Sequence, residues 1–386
     1  MPLVRVWSGH FLSKELNQTS VVIAHDNSKK MANKNKIDAQ KIVFEDIEGI
    51  VREIRPLLFR LEGKKLLITG ASGMVPGYFL DTIYYLNKNC FSKKTRVSCF
   101  VHRNLTEKSR LFYLKNDPYF KFTVVDLGKP FKINGAFDYV IHAASKASPR
   151  DYLSNPIETL RTNVTATTTI LEYVRGHKNC RFLFFSSGEI YGNPTVSSID
   201  ESYIGKFNHL SERACYAEAK RFAETLCYLY AKEFGTTVSI ARLFHTFGPG
   251  IKKEDSRIWS ALIFRALENK KMEIMDASTK RSFCYIADAI KQLWYALLSG
   301  KGFTVYNIGN PQTTSFGQFA NLVKKISGSS AAIINLKKRT GAWKNSPQKV
   351  RPNVDKILQV SKIKITTNLE QGLKKTIAWC KKFYGY

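Results

Sequence analysis

Apolar residues fall into two alternating periods along most of this chain. From Ile42 to Leu61, the residues Val43, Ile47, Ile50, Val51, Ile54, Leu57, Leu58 and Leu61 recur at helical spacing, and Pro56 is expected to bend or restart that helix. A short apolar run, Lys65 to Ile68, then enters a Gly-rich turn, and a helical pattern follows through Leu86. Strand-like segments at Arg96–Val101, Phe122–Val125, Tyr139–Ala143, Arg181–Ser186 and Val238–Ala241 alternate with helical patterns such as Pro156–Arg175 and Leu210–Phe234. This alternation predicts an α/β fold, a Rossmann-like doubly wound parallel sheet that binds its ligand at the carboxyl edge. Beyond Arg242 the alternation breaks. Gly- and Pro-containing loops (Phe247–Gly250, Asn307–Pro311) separate helices at Ile258–Asn269 and Phe316–Ile326, which reads as a smaller C-terminal α/β lobe closing over a substrate. Ahead of Ile42, residues 1 to about 40 carry a Lys/Asn-rich stretch from Asn27 to Lys36 with little periodicity, the pattern of a poorly ordered tail. The expected division is therefore 1–62 as an extension of tail plus helix, 63–243 as a dinucleotide-binding Rossmann domain, and 244–386 as a substrate lobe with returns to that domain.

The turn after the first strand reads Thr69-Gly70-Ala71-Ser72-Gly73-Met74-Val75-Pro76-Gly77. Gly70 permits the tight turn, and Gly73 lets the backbone approach a pyrophosphate at a helix N-terminus. Pro76 stands where such turns usually carry a third glycine. Proline is tolerated in the first turn of a helix, so the element survives. Asp126 ends a strand, where it would accept from an adenine amino group. Ala143, Ala144 and Ser145 end the next strand, where small side chains leave room for a cofactor. After the second strand a ribose-binding carboxylate is expected, yet the chain has His102-Arg103-Asn104. Arg103 there suits the 2′-phosphate of NADP and equally suits a solvated surface beside the adenine.

The segment Arg213-Ala214-Cys215-Tyr216-Ala217-Glu218-Ala219-Lys220 places Tyr216 and Lys220 four apart, on one face of a helix. A phenol is a poor base at its free pKa of about 10. An adjacent ammonium and a nicotinamide cation both favour the phenolate, so the pair can take a hydroxyl proton while hydride leaves the same carbon. His142 and His245 sit at strand ends in the expected cleft and read as packing or hydrogen-bonding residues.

Composition narrows the classes. The 386 residues are 44% hydrophobic and 12% aromatic, enough for a full core in one two-lobed unit or two domains. Seven cysteines are scattered singly with no CxxC pair, which reads as a reduced, cytoplasmic protein, and no His/Cys/carboxylate cluster has metal-ligand spacing. No apolar run approaches the roughly 20 residues that span a bilayer. The formal net charge of +29 is spread along the whole chain without a basic helix or an aromatic-interleaved patch. It reads as a field that steers an anionic small substrate inward and not as a nucleic-acid or membrane surface.

Taken in order, several segments resemble the extended short-chain dehydrogenase/reductase family of NAD-dependent nucleotide-sugar epimerases and dehydratases. They are Thr69-Gly70-x-x-Gly73, Asp126-Leu127, Ser186-Ser187-Gly188-Glu189-Ile190-Tyr191-Gly192, Tyr216-x-x-x-Lys220, Arg242 to Pro249, and Arg281 to Asp288. The likeness covers about residues 63–386. It implies Tyr216 as base, Lys220 as its partner and a cofactor ribose ligand, Ser187 as the hydroxyl on the reacting sugar oxygen, and Glu189 as an acidic group beside the sugar. It also implies cofactor contacts from Gly70, Gly73, Met74, Val75, Arg103, Asp126, Leu127, Ala143, Ser145 and Thr162, and substrate contacts from Tyr152, His245, Arg281 and Arg351. Within the family, the stretches around Ala147–Asn163 and Arg213–Arg221 are most similar to UDP-glucuronate decarboxylases. Two places depart from that branch: Gly188, where it carries Ser, and Val350, where alignment on Pro352 expects Arg while Arg351 sits one residue away.

The resemblance therefore implies oxidation of a UDP- or dTDP-linked sugar at C4, with decarboxylation of UDP-glucuronate as the leading reaction and 4-epimerisation or 4,6-dehydration as alternatives. It further implies tightly held NAD and a homodimer that bundles the helices at Pro156–Arg175 and Leu210–Phe234. Two other classes stay open from the sequence: a non-catalytic Rossmann binding module, against which intact Ser187, Tyr216 and Lys220 speak, and a nucleic-acid-binding protein suggested by charge alone.

Overall fold

The inner strands of the main sheet are short apolar runs whose alternate side chains feed two separate cores. The computed structural model describes residues 12–206, 208–336 and 347–386, with side chains from residue 34 onward. Seven strands form one parallel sheet: β1 (Lys65–Thr69), β2 (Arg96–Val101), β3 (Phe120–Val124), β4 (Tyr139–His142), β5 (Arg181–Ser187), β6 (Thr237–Leu243) and β10 (Phe303–Ile308). Their spatial order is β10-β6-β5-β4-β1-β2-β3. From β1, one face sends Leu66 and Ile68 into the larger core, shared with α2 (Met74–Asn89) and α7 (Ile286–Ser299). The opposite face sends Leu67, with Val140, Phe182, Phe184 and Ile240, into a second core under α4 (Pro156–Arg175) and α5 (Ala214–Phe234). A strand buried on both faces reads as a near-continuous apolar run, and β4 is buried at all four positions, its one strongly polar residue, His142, being paired with Thr69 Oγ1 at 2.7 Å.

The chain reverses strand order beside β1, so the carboxyl ends of β1 and β4 open a crevice there. After β6 a smaller lobe begins with β7 (His245–Phe247), α6 (Ile258–Leu267), β8 (Met272–Ile274) and β9 (Lys280–Tyr285). β9 carries the lobe's second sheet, paired with β7, with β11 (Thr313–Ser315) and with β13 (Lys349–Val350). α8 (Phe316–Ser327), β12 (Ile333–Asn335), α9 (Asp355–Ser361) and α10 (Leu369–Tyr384) complete it. Between these, α7 and β10 pack back onto the first sheet, with β10 hydrogen-bonded along β6.

The N-terminal reading needs correction. A tail to about residue 40 was expected, but helix α1 runs from Leu12 to Leu58; residues 1–11 lie outside the described ones. No Gly or Pro stands between Gly9 and Gly49, and Lys, Ala and Met are good helix formers. A helix without an apolar stripe leaves no periodic signal. The stripe begins at Ala39 and continues through Val43, Ile47, Ile50, Val51, Ile54 and Leu58, all buried against α2, α7 and α10. Each of the larger side chains contributes roughly 1.5–3 kcal/mol by burial. The bend expected at Pro56 is present: Ile54 leaves helical geometry (φ −118°, ψ 25°) because the proline ring crowds the turn before it. Beneath α1, buried Asp46 accepts from Tyr78 OH (3.1 Å), Tyr285 OH (2.5 Å) and Lys375 Nζ (2.6 Å), tying α1 to α2, β9 and α10.

Helix α5 also starts later than its pattern suggested, at Ala214 and not Leu210. Asn208 makes a competing turn, its Oδ1 accepting from Leu210 N at 3.1 Å. Tyr216 consequently lies in the first turn of α5. Among the described residues no helix is long and apolar enough to cross a membrane.

Candidate functional site

At the end of β1, Gly70 adopts φ +67°, a left-handed conformation that L side chains rarely take, and a Cβ there would lie 2.7 Å from Ala144 Cα. Gly73 follows as the N-cap of α2, with no side-chain cap bond, so the first N–H groups of that helix face the crevice. Met74, Val75 and Pro76 line a cleft of about 250 Å³ together with Ala143 and Ser145. A backbone cradle that any Cβ would fill, opening onto small residues at the helix N-terminus, fits a dinucleotide pyrophosphate. Behind it, Ser145 Oγ bonds Asn163 Oδ1 at 3.1 Å.

The opposite wall is built by β5 and α5. Ser187 ends β5, and its hydroxyl lies beside the Tyr216 phenol. Lys220, one turn further along α5, is buried and donates to Phe185 O at 2.8 Å, its Nζ 5.9 Å from the centre of the Tyr216 ring. Burial pushes the Tyr216 phenol up to about 12, against the pull of Ser187. Burial pushes the Lys220 ammonium down to about 7, opposed by the charge of Glu224. Tyr152, in the short helix α3 (Pro149–Ser154), stacks on Tyr216 with ring centres 5.2 Å apart and planes 7° apart.

The smaller lobe contributes the third side. His245 opens β7, and its Nδ1 is buried without a hydrogen-bond partner among the described residues. Burial, then the positive charges of Arg281 and Arg257, push its imidazole down to about 3, so it is neutral at physiological pH. Arg281 is buried on β9 and holds Pro347 O at 2.8 Å. Arg257 pairs with Asp255 (Nε to Oδ1 3.0 Å) and covers the Trp259 ring. Glu189 faces Arg213 at 3.3 Å. The Phe244 ring fills the space above Gly188: a Cβ there would stand 2.9–3.1 Å from three ring carbons. Val350 packs against the buried cluster of Ile190, Tyr191, Ile199 and Phe244. Beyond Ser256 a second cavity, about 200 Å³, opens between α6, β8 and Phe316.

Strand-end small residues, a glycine cradle and a Ser–Tyr–Lys wall in one crevice are the parts of a nicotinamide-dependent oxidoreductase site. The model of the NAD dependent epimerase/dehydratase family matches residues 66–309. The chain belongs to this family. Its curated relatives include UDP-glucuronic acid decarboxylase 1 of Xenopus tropicalis, 34% identical over 328 residues, covering 83% of this chain and 72% of the relative. UDP-glucuronic acid decarboxylase 5 of Arabidopsis thaliana is 30% identical over 321 residues, covering 83% and 90%. Among solved structures, an epimerase of Methanothermobacter thermautotrophicus superposes with TM-score 0.74 at 17% identity, covering 87% of this chain and 97% of that one. UDP-glucuronic acid 4-epimerase from Bacillus cereus, in complex with UDP-glucuronic acid and NAD, gives 0.69 at 24% identity, covering 83% and 100%.

Within this epimerase/dehydratase-family enzyme, the cleft brings together Met74, Val75, Ala143, Ser145, Ser187, Glu189, Tyr216, Lys220, His245 and Arg281. Tyr152 lies in an adjoining recess with Glu189, Arg213 and His245. Asp126 and Thr162 converge at a distance from it. A Cβ on Gly128 would meet Thr162 Oγ1 and Asp126 Oδ1 at 3.1 and 3.3 Å. Leu127 beside them is buried, and Arg103 is exposed on the loop after β2. Arg351 does not reach the cleft. Its Nε donates to Pro311 O at 3.0 Å, and its neighbour Val350 lines the cleft instead, because successive residues of an extended strand point to opposite sides. Arg257 and Phe244 were missed by sequence reasoning, and Val350 was singled out there only as a departure from the decarboxylase branch. Arg257 sits in a loop with no periodic or motif signal, and the other two acquire meaning only where Val350 packs against the cluster that holds Phe244.

Proposed function

We propose that this enzyme oxidises a nucleotide-linked sugar at C4 and decarboxylates UDP-glucuronate. The observation that carries the reading is the wall on which Ser187, Tyr216 and Lys220 converge, facing the cationic Arg257 and Arg281. Tyr216 takes the proton of the C4 hydroxyl, Ser187 holds the same oxygen, and Lys220 steadies the phenolate. The Gly70–Val75 turn, Ala143 and Ser145 would hold NAD, which when bound supplies hydride acceptance at C4 and a positive charge that favours the phenolate. Oxidation makes the sugar a β-keto acid. Loss of CO2 breaks C5–C6 and places the electron pair on the C4 enolate oxygen, the atom that Ser187 and Tyr216 hold, before C5 is reprotonated. The diphosphate would run past Arg257 and Arg281, with the nucleoside in the second cavity. Relatives named UDP-glucuronic acid decarboxylase support the choice of sugar.

Gly188 and Val350 favour a second reading, 4-epimerisation of the same substrate, since neither offers the cleft a polar group beside the sugar. Incubation with UDP-glucuronate distinguishes them: CO2 with a UDP-pentose or its 4-keto form supports decarboxylation, and UDP-galacturonate supports epimerisation. Untouched UDP-glucuronate, with a neutral hexose dehydrated or epimerised, would overturn both.

The cofactor reading is NAD. A hydride that is returned gains nothing from the NADP pool, and the exposed Arg103 fits a surface position; extraction of NADP from purified protein would reverse this. A homodimer is supported by the outward apolar residues of α4 and α5, among them Ile157 (72% exposed), Phe222 (47%), Tyr228 (46%) and Leu229 (46%). Seven unpaired thiols fit the reducing cytoplasm.

A further inference from the structure

Three side chains on one face of α5 grip three consecutive residues of β5. Tyr216 faces the Ser187 hydroxyl, and Lys220 donates to the Phe185 carbonyl at 2.8 Å. Glu224, one further turn along, accepts from Ser186 Oγ at 2.5 Å. Spacing of four residues on a helix rises about 6 Å. That rise matches two residues of a strand, the step from Ser187 to Phe185, while the longer Glu224 side chain reaches back to Ser186 between them. The first two grips belong to the proposed chemistry, and the third is unused by it.

Glu224 is not a surface carboxylate. Its side chain is 11% exposed and meets Arg242, from the β6 position in register with Ser186, at 2.7 Å (Nη2 to Oε2) and 3.0 Å (Nε to Oε1). Arg242 Nη1 continues to Tyr191 OH (2.8 Å) and Glu201 O (2.8 Å), and Tyr191 OH to Asn307 Oδ1 (2.7 Å). Tyr191 closes the short turn that carries Gly188 and Glu189. One network therefore joins the helix of Tyr216 and Lys220 to the strand end of Ser187 and to the turn of Glu189.

We propose that Glu224 is a positioning residue of the reaction, keeping Lys220 an ammonium against Tyr216 and fixing the Ser186–Ser187 strand end. Around Lys220 the remaining groups do not replace it. Cys227 on α5 is a buried thiol pushed well up by burial, His142 on β4 is held neutral by burial, and Tyr216 is a neutral phenol. Arg242 lies beyond Glu224 and is itself positive. Glu224 is the carboxylate that offsets the burial of Lys220.

The proposal rests on Tyr216 and Lys220 as the reacting pair, and its test does not depend on the sugar. Protein labelled with 13Cε-lysine is titrated by NMR, with the Lys220 signal assigned by its loss in Lys220→Met. Wild type should titrate well below a free lysine, and Glu224→Gln should move the midpoint down by a unit or more, an about tenfold loss of ammonium at a given pH. kcat at pH 8 should fall about tenfold with KM unchanged, while Glu224→Asp restores the midpoint. Glu224→Gln leaves buried Arg242 without its carboxylate. Glu224→Gln/Arg242→Gln, checked by circular dichroism, removes that imbalance, and its midpoint should still fall below that of wild type, by less than in Glu224→Gln. A wild-type midpoint near the free-lysine value of about 10.4 that Glu224→Gln leaves in place overturns the proposal. An unmoved midpoint in a folded variant overturns it as well, whatever the activity. Failure of the UDP-glucuronate assay alone leaves this titration unaffected.

Discussion

Replacing Gly188 with serine tests whether the Phe244 ring is a fixed wall of the cleft. The added Cβ would stand 2.9, 3.0 and 3.1 Å from Cε1, Cδ1 and Cζ of that ring, whereas carbon atoms pack best at about 3.5–4.0 Å. The ring must retreat by roughly 0.5–1 Å. Behind it stand Tyr191, stacked at 6.2 Å and itself buried, then Ile190, Ile199 and Val350. On another side, a Cβ on Gly309 would already touch Phe244 Cβ at 3.3 Å. With the buried cluster behind it, the ring can yield only toward the cleft it lines, and the substitution should cost about 1–3 kcal/mol. Phe244→Leu removes the clashing ring atoms, so Gly188→Ser should cost far less in that background, with a coupling of about 1 kcal/mol or more. Urea unfolding of wild type, both single variants and the double variant measures this cycle. If Gly188→Ser is as stable as wild type, or simply additive with Phe244→Leu, the ring is not held where the reasoning requires.

Tyr216→Phe keeps the stacking on Tyr152 and removes only the phenolic oxygen, so turnover should fall by a factor of about 10²–10⁴ or more while bound cofactor is retained; near-wild-type product formation would sink the base assignment. His142 and His245 are both pushed down to about 3 in the folded protein against 6.5 when unfolded. The unfolded chain thus binds more protons between those values, and their contribution to stability is complete above pH 6.5 and lost as pH falls toward 3. The Tm should therefore drop between pH 7 and pH 4.5, less so in His142→Asn, and a flat profile would contradict the buried neutral pair. Leu229→Glu on the exposed face of α5 should shift sedimentation from dimer to monomer at micromolar concentration with the fold intact; a wild type already monomeric there would remove the dimer.

Local physics was enough to write most of the scaffold from the sequence. Period-two apolar runs, a left-handed glycine after β1 and helical stripes are properties of neighbouring residues, so β2 and α4 were read to their observed ends and the Tyr216–Lys220 face was visible from spacing alone. Helix α1 escaped as far as Ala39 because the sequence ahead of it carries no apolar period to detect. The site itself was legible only where a motif lies within one element. Whether Val350 or Arg351 faces the sugar depends on how β13 registers with β9, which no local pattern encodes. That Gly188 must lack a side chain depends on Phe244, 56 positions later in the sequence and brought over it by the pairing of β6 with β5, which sets Leu243 beside Ser187. Glu224 and Arg242 read as ordinary charges on a helix and a strand until β5 and β6 align Ser186 with Arg242. Periodicity encodes which face of an element turns inward; which inward faces meet is fixed by packing across the sheet, and the chemistry of this cleft is made of those meetings.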